Sequence, residues 1–187
     1  MIRPILIYGD PVLHARAREV NVFDQELREL VQDLFDTMDK APGVGLAAPQ
    51  IGVSQRVFVY SYPDDDDTPR RGVVINPTLS HSPVEAGPAD EELESEGCLS
   101  FPGERFALKR GHKVVIEGVD LDQNPVRIEA EDWFARIFQH EFDHLNGILY
   151  VDKLPFELRQ EAFEQMKDLG WNKPGVSWLP GTDHLED

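Results

Sequence analysis

The stretch from Asp132 to Asn146 constrains this chain more than any other part of it. Trp133, Phe134, Ile137, Phe138 and Leu145 recur at helical spacing and give so broad an apolar surface that the helix is expected to be buried on most sides. Gly147 supplies its C-terminal stop. The same helix carries His140-Glu141-Phe142-Asp143-His144, two histidines four apart with a glutamate beside the first. Ionisable groups on so apolar a helix are costly to bury unless they are paired or bound to a metal. Whatever the chain folds into has to enclose this helix and still satisfy its charges.

At about 100° per residue, His144 sits about 40° around from His140 and one turn along, so both imidazoles reach one metal. Glu141 lies about 100° from His140, close enough to touch a water on that metal without ligating it. A divalent metal lowers the pKa of a bound water from about 15.7 towards about 7, and a neighbouring carboxylate can take the proton. Those are the parts of metal-assisted hydrolysis. Asp143, on the side away from Glu141, reads as an ion-pair partner rather than a catalyst. A catalytic metal usually keeps three protein ligands and one open position. Downstream the chain offers Glu157, Glu161, Glu164 and His184; upstream it offers Cys98, its one cysteine. A lone Cys is usually a small buried hydrophobe, but metal ligation deprotonates a thiol outright.

The rest of the chain sets limits. Its 187 residues suit one domain with a sizeable core. A net charge of −17 argues against nonspecific binding to nucleic acid or anionic membrane, so neither DNA nor membrane is expected as a partner. One Cys excludes an intramolecular disulfide framework and fits a reducing compartment. The opening MIRPILIYGDP, interrupted by Pro4 and Asp10, does not read as a signal peptide, and no run of about 18 apolar residues occurs. A cytoplasmic location is expected.

Asp24 can cap a helix in which Leu27, Leu30, Val31, Leu34, Phe35 and Met38 form one face, stopped by Pro42 and Gly43. Strand patterns follow at 56–60, 72–76, 113–119 and 125–130, the last two forming a hairpin. Asp64 to Asp67, flanked by Pro63 and Pro69, is expected to be a solvated, mobile loop. Residues 64–96, which carry ten acids against Arg70 and Arg71, are expected to be mostly loop forming a solvated acidic face. A last helix is expected from about Pro155 to Leu169, with residues 171–187 a surface-hugging or frayed tail. The order of elements predicts an α+β fold, with short antiparallel β-sheets packed around the helix that carries the His-Glu-x-x-His motif. Residues 1–170 then form a single catalytic domain.

Three separated segments occur in order: Gly43-Val44-Gly45-Leu46-Ala47-Ala48-Pro49-Gln50, Glu96-Gly97-Cys98-Leu99-Ser100 and Gln139-His140-Glu141-Phe142-Asp143-His144-Leu145. With these the chain resembles the peptide deformylases, which remove the N-formyl group from new proteins. The resemblance implies Cys98, His140 and His144 as metal ligands, Glu141 as general acid/base, and Gln50 with the backbone N–H of Leu99 as donors to an oxyanion. It also implies one divalent metal, ferrous iron, with zinc or nickel possible in purified protein. The substrate implied is an N-formylmethionyl peptide or nascent chain, extended along Val44, Gly45 and Gly97, its methionine side chain in a pocket of Val44, Trp133 and Ile137. Trp133 and Ile137 suit ordinary core packing equally well. Arg105 falls where many members carry a peptide-contacting Arg, and an ion pair with Glu104 accounts for it as well. Some members use a basic C-terminal helix at the ribosome; from Asp152 onward this chain has four basic residues against eight acids, so at most weak ribosome contact is expected.

Two other readings share parts of this pattern: a His-Glu-x-x-His zinc metalloprotease, and an inactive binder of protein N-termini. Substituting Cys98→Ala separates the first from a deformylase. Elemental analysis of the variant is expected to find the metal lost, whereas a protease with its third ligand elsewhere would retain it.

Overall fold

The computed structural model describes residues 1–185. In chain order the elements are β1 (Ile5–Leu6), α1 (Gln25–Lys40), β2 (Gly45–Ala47), β3 (Val57–Pro63), β4 (Pro69–His81), β5 (Ser95–Cys98), β6 (Phe101–Ala107), β7 (Lys113–Val119), β8 (Pro125–Glu131), α2 (Asp132–Leu145), α3 (Phe156–Asp168) and β9 (Ser177–Trp178). The architecture is α+β. A five-stranded antiparallel sheet in the order β2-β3-β4-β7-β8 is accompanied by two smaller antiparallel pairs, β5-β6 and β1-β9.

Helix α1 begins where Asp24 accepts the backbone N–H of Leu27 at 3.0 Å, as its sequence predicts. It packs on β2 and β3 through Leu27, Leu30, Val31, Leu34 and Met38. Helix α2 packs against β2, β3, β7 and β8. In β3, Val57 and Val59 belong to the apolar cluster that contains α1, while Phe58 between them belongs to the cluster of Phe134, Ile137 and Phe138 from α2. Side chains alternate faces along a strand, so burial on both faces explains why this strand reads as nearly continuous apolar sequence. Ten of the fourteen α2 residues are buried, including Arg136, Gln139, Glu141, Asp143 and His144.

Three expectations need correction. The strand expected at 72–76 is longer than its pattern, because β4 runs from Pro69 through Asn76-Pro77 to His81, while 64–68 and 82–94 are loop as expected; the register shifts between Ile75 and Thr78, where Pro77 has no N–H to give the ladder. The aspartate run is largely exposed as expected, but it forms a hydrogen-bonded hairpin turn: Asp64 Oδ1 accepts the backbone N–H groups of Asp66 (3.0 Å) and Thr68 (2.8 Å). The segment after residue 170, expected as a surface tail, pairs Trp178 with Ile5 and buries the indole to 1% exposure. Residues 186 and 187 of that expected tail lie outside the described residues. No helix among the described residues is long and apolar enough to cross a membrane.

Candidate metal centre

The period of a strand and the period of a helix bring the site together. In β5, Glu96 and Cys98 are two apart and both buried, so they face the same way, towards α2. On α2, Arg136, His140 and His144 are spaced by four and form a polar stripe along one side of the helix. Cys98 Sγ lies 3.3 Å from His144 Nε2, which lies 3.2 Å from His140 Nε2. The three ligand atoms all fall within 4.8 Å of one another. Metal–nitrogen bonds of about 2.0–2.1 Å and a metal–sulfur bond of about 2.3 Å place tetrahedral donors about 3.3–3.6 Å apart, so this donor set fits a first-row divalent ion.

The orientation of His140 is set by Glu96, whose Oε1 accepts the His140 Nδ1–H at 2.9 Å and leaves Nε2 to face the sulfur and the second imidazole. Glu96 is itself gripped by cations. Arg110 donates to both of its oxygens, at 2.6 and 2.9 Å, and Arg136 donates at 2.7 Å. Burial alone would raise the Glu96 carboxyl, but the Arg110 guanidinium holds it well below the usual carboxylate range. Arg110 continues to Asp143 at 2.7 Å, and Asp143 meets Lys153 at 3.1 Å, which is the ion-pair role expected of Asp143. Burial, reinforced by the neighbouring His140, favours the neutral form of His144, the form able to ligate a metal.

Glu141 stands beside the triad. Burial pushes its carboxyl up to about 7 against the pull of His140, and its Oε2 is buried with no hydrogen-bond partner among the described residues. Gln50 has its Oε1 fixed by the Ala47 N–H at 2.9 Å, which turns its Nε2 towards Ser100 Oγ (3.2 Å) and Cys98 Sγ (3.9 Å). These groups open onto a cavity of about 410 Å³ lined by Val44, Gly45, Gln50, Gly97, Cys98, Leu99, Arg105, Trp133, Ile137, His140 and Glu141. Every site residue expected from the sequence except His144 reaches that lining; His144 sits behind it, 1% exposed. Arg105 donates to the Ser95 carbonyl at 2.6 Å, and no ion pair with Glu104 occurs among the described residues. Arg110, Arg136 and Leu185 (which also lines the cavity) were missed by sequence reasoning. An arginine on so apolar a helix was the one signal that could have found Arg136.

Substituting Arg110→Met leaves Glu96 and Asp143 each short of a buried partner. Unfolding stability in urea is expected to fall by about 3–5 kcal/mol, the usual consequence of removing one member of a buried ion pair.

Comparison with known proteins agrees with the geometry. The family model described as polypeptide deformylase matches residues 2–160. A peptide deformylase of Mycolicibacterium vanbaalenii is 48% identical over 97% of this chain and 96% of its own, and peptide deformylase 2 of Corynebacterium efficiens is 46% identical over 97% and 95%. Among solved structures, the peptide deformylase of Thermus thermophilus aligns with a TM-score of 0.76 at 39% identity, covering 89% of this chain and 94% of that one. The Ehrlichia chaffeensis enzyme in complex with actinonin aligns at 0.77 and 32%, covering 90% and 97%. Matched along nearly its whole length and carrying a Cys-His-His cluster beside a buried glutamate, the chain belongs to the polypeptide deformylase family.

Proposed function

We propose that this enzyme removes the formyl group from N-formylmethionyl termini of nascent polypeptides, with Cys98, His140 and His144 holding one divalent metal ion. The observation that carries the reading is the convergence of these three donors beside a buried carboxylate, at a cavity bordered by the edge strand β2. The family leads us to expect ferrous iron, with zinc or nickel in purified material. When bound, the ion supplies positive charge that acidifies a water near neutral pH and polarises a carbonyl.

Glu141 takes a proton from the attacking water and delivers it to the leaving amine; a carboxyl raised to about 7 is suited to both transfers. The water oxygen bonds to the formyl carbon, the C–N bond breaks, and formate and a free amino terminus leave. Gln50 Nε2 and the Leu99 backbone N–H donate to the oxyanion that develops on the formyl oxygen. The fixing of Gln50 Oε1 by Ala47 supports this role, because the amide cannot turn its oxygen inward without losing that bond.

The peptide adds to the open edge of β2 as an extended strand, using backbone groups of Val44, Gly45 and Gly97. Its methionine side chain enters between Val44, Trp133 and Ile137, and Arg105 meets the peptide beyond it. Residues 1–170 act as one catalytic domain, and the described part of the segment that follows, 171–185, docks on it. The enzyme works in the cytoplasm without DNA or membrane, and the net charge of −4 after residue 151 allows at most weak ribosome contact. A zinc protease of the ordinary kind has no use for a sulfur 3.3 Å from His144, and an inactive binder has no use for a buried Glu141.

Formate release from a formyl-methionyl peptide, assayed with ferrous iron, nickel and zinc in turn, tests the reading. Release with at least one metal is expected, and its absence with all three would refute the proposal. A Cβ at position 45 would collide with Glu141 Oε1, so only glycine leaves the carboxylate where it stands. Gly45→Ala is therefore expected to lower kcat by about 10²-fold or more, with far-UV dichroism and metal content unchanged.

A further inference from the structure

Outside the metal centre, the most directed contact onto the site comes from the C-terminal segment. Trp178 is 1% exposed, and its indole N–H donates to the Leu99 carbonyl at 2.8 Å. Leu99 follows the ligand Cys98 and precedes Ser100, whose carbonyl accepts the Tyr8 N–H at 2.8 Å and whose Oγ accepts Gln50 Nε2. The strand that carries Trp178 pairs with β1, and the Val176 carbonyl accepts the Ile7 N–H at 2.9 Å. The turn at 98–100 is thus held from behind by residues from both ends of the sequence.

Resting on the deformylase reading, we propose that Trp178 is a positioning residue for the oxyanion. With Cys98 fixed on one side, anchoring the Leu99 carbonyl on the other restricts the Leu99 torsions through which its N–H could turn away from the cavity that Leu99 lines. A purely packing role would need only the bulk of the indole. A positioning role needs its N–H as well. Preorganised donors act by requiring no reorientation as charge develops, and the net worth of one neutral hydrogen bond corresponds to about three- to tenfold in rate.

The test is site-specific replacement of Trp178 by benzothienylalanine, which keeps the shape of the side chain and removes the N–H. The same replacement at Trp171, which packs edge-on against Phe101 with centroids 5.2 Å apart, is the control. The expected result at 178 is a three- to tenfold fall in kcat, with KM within twofold and Tm within about 2 °C of the parent. The Leu99 amide resonance of the metal-free protein is expected to move. An unchanged kcat with an unmoved Leu99 amide overturns the proposal, and so does an equal loss at Trp171 or a loss that merely follows Tm. If the parent releases no formate, the deformylase reading fails on its own account. The Leu99 amide then decides alone whether the indole N–H positions this turn.

Discussion

Glu96 is a carboxylate taken out of water, and the groups around it answer to that fact. Two guanidiniums and an imidazole N–H divide its two oxygens, and the bond to His140 is the one that turns its Nε2 towards His144 and the Cys98 cluster. Arg110 passes the demand on to Asp143 and so to Lys153, tying β5, the segment before β7, α2 and the segment before α3 to one electrostatic centre. Such a network contributes less to net stability than the same volume of apolar packing. Few other arrangements of the chain could pair the charges, so it favours this one.

The five-stranded sheet complements that centre by enclosing it. Because α1 and α2 pack through different faces of β3, the polar stripe of α2 has apolar clusters beside it while one side stays open to the cavity. Strand β2 lies at the sheet edge beside this opening, and its first residue is the glycine against which Glu141 rests. The edge strand, the buried Glu141 and the Cys98-His140-His144 cluster are therefore neighbours around one cavity, although three separate elements supply them.

Much of this was legible in the sequence. The helices announced themselves because one face of each is apolar at a period of 3.6, and Asp24 at its cap marked where α1 starts. The meeting of His140 and His144 on α2 was legible because they share a face by spacing alone. Cys98 was one candidate among several until the three motifs were read together. What stayed hidden depends on pairing across long separations. Glu96 looks like any acid in an acidic stretch until Arg110 and Arg136 close on it. Strand β4 was cut short at Asn76-Pro77, because a proline in a strand pattern ordinarily ends it. Strand β9 is two residues long, too short for any alternation to register.

The β1–β9 pair has a consequence for the order in which the molecule matures. Residues 5 and 178 meet across almost the entire chain, and contacts closing so large a loop are entropically among the last to form. During synthesis β1 has no partner until residue 178 has emerged from the ribosome. By then the helix bearing His140 and His144 has already been made, so the strand that backs the turn at 98–100 can pair only against elements synthesised before it.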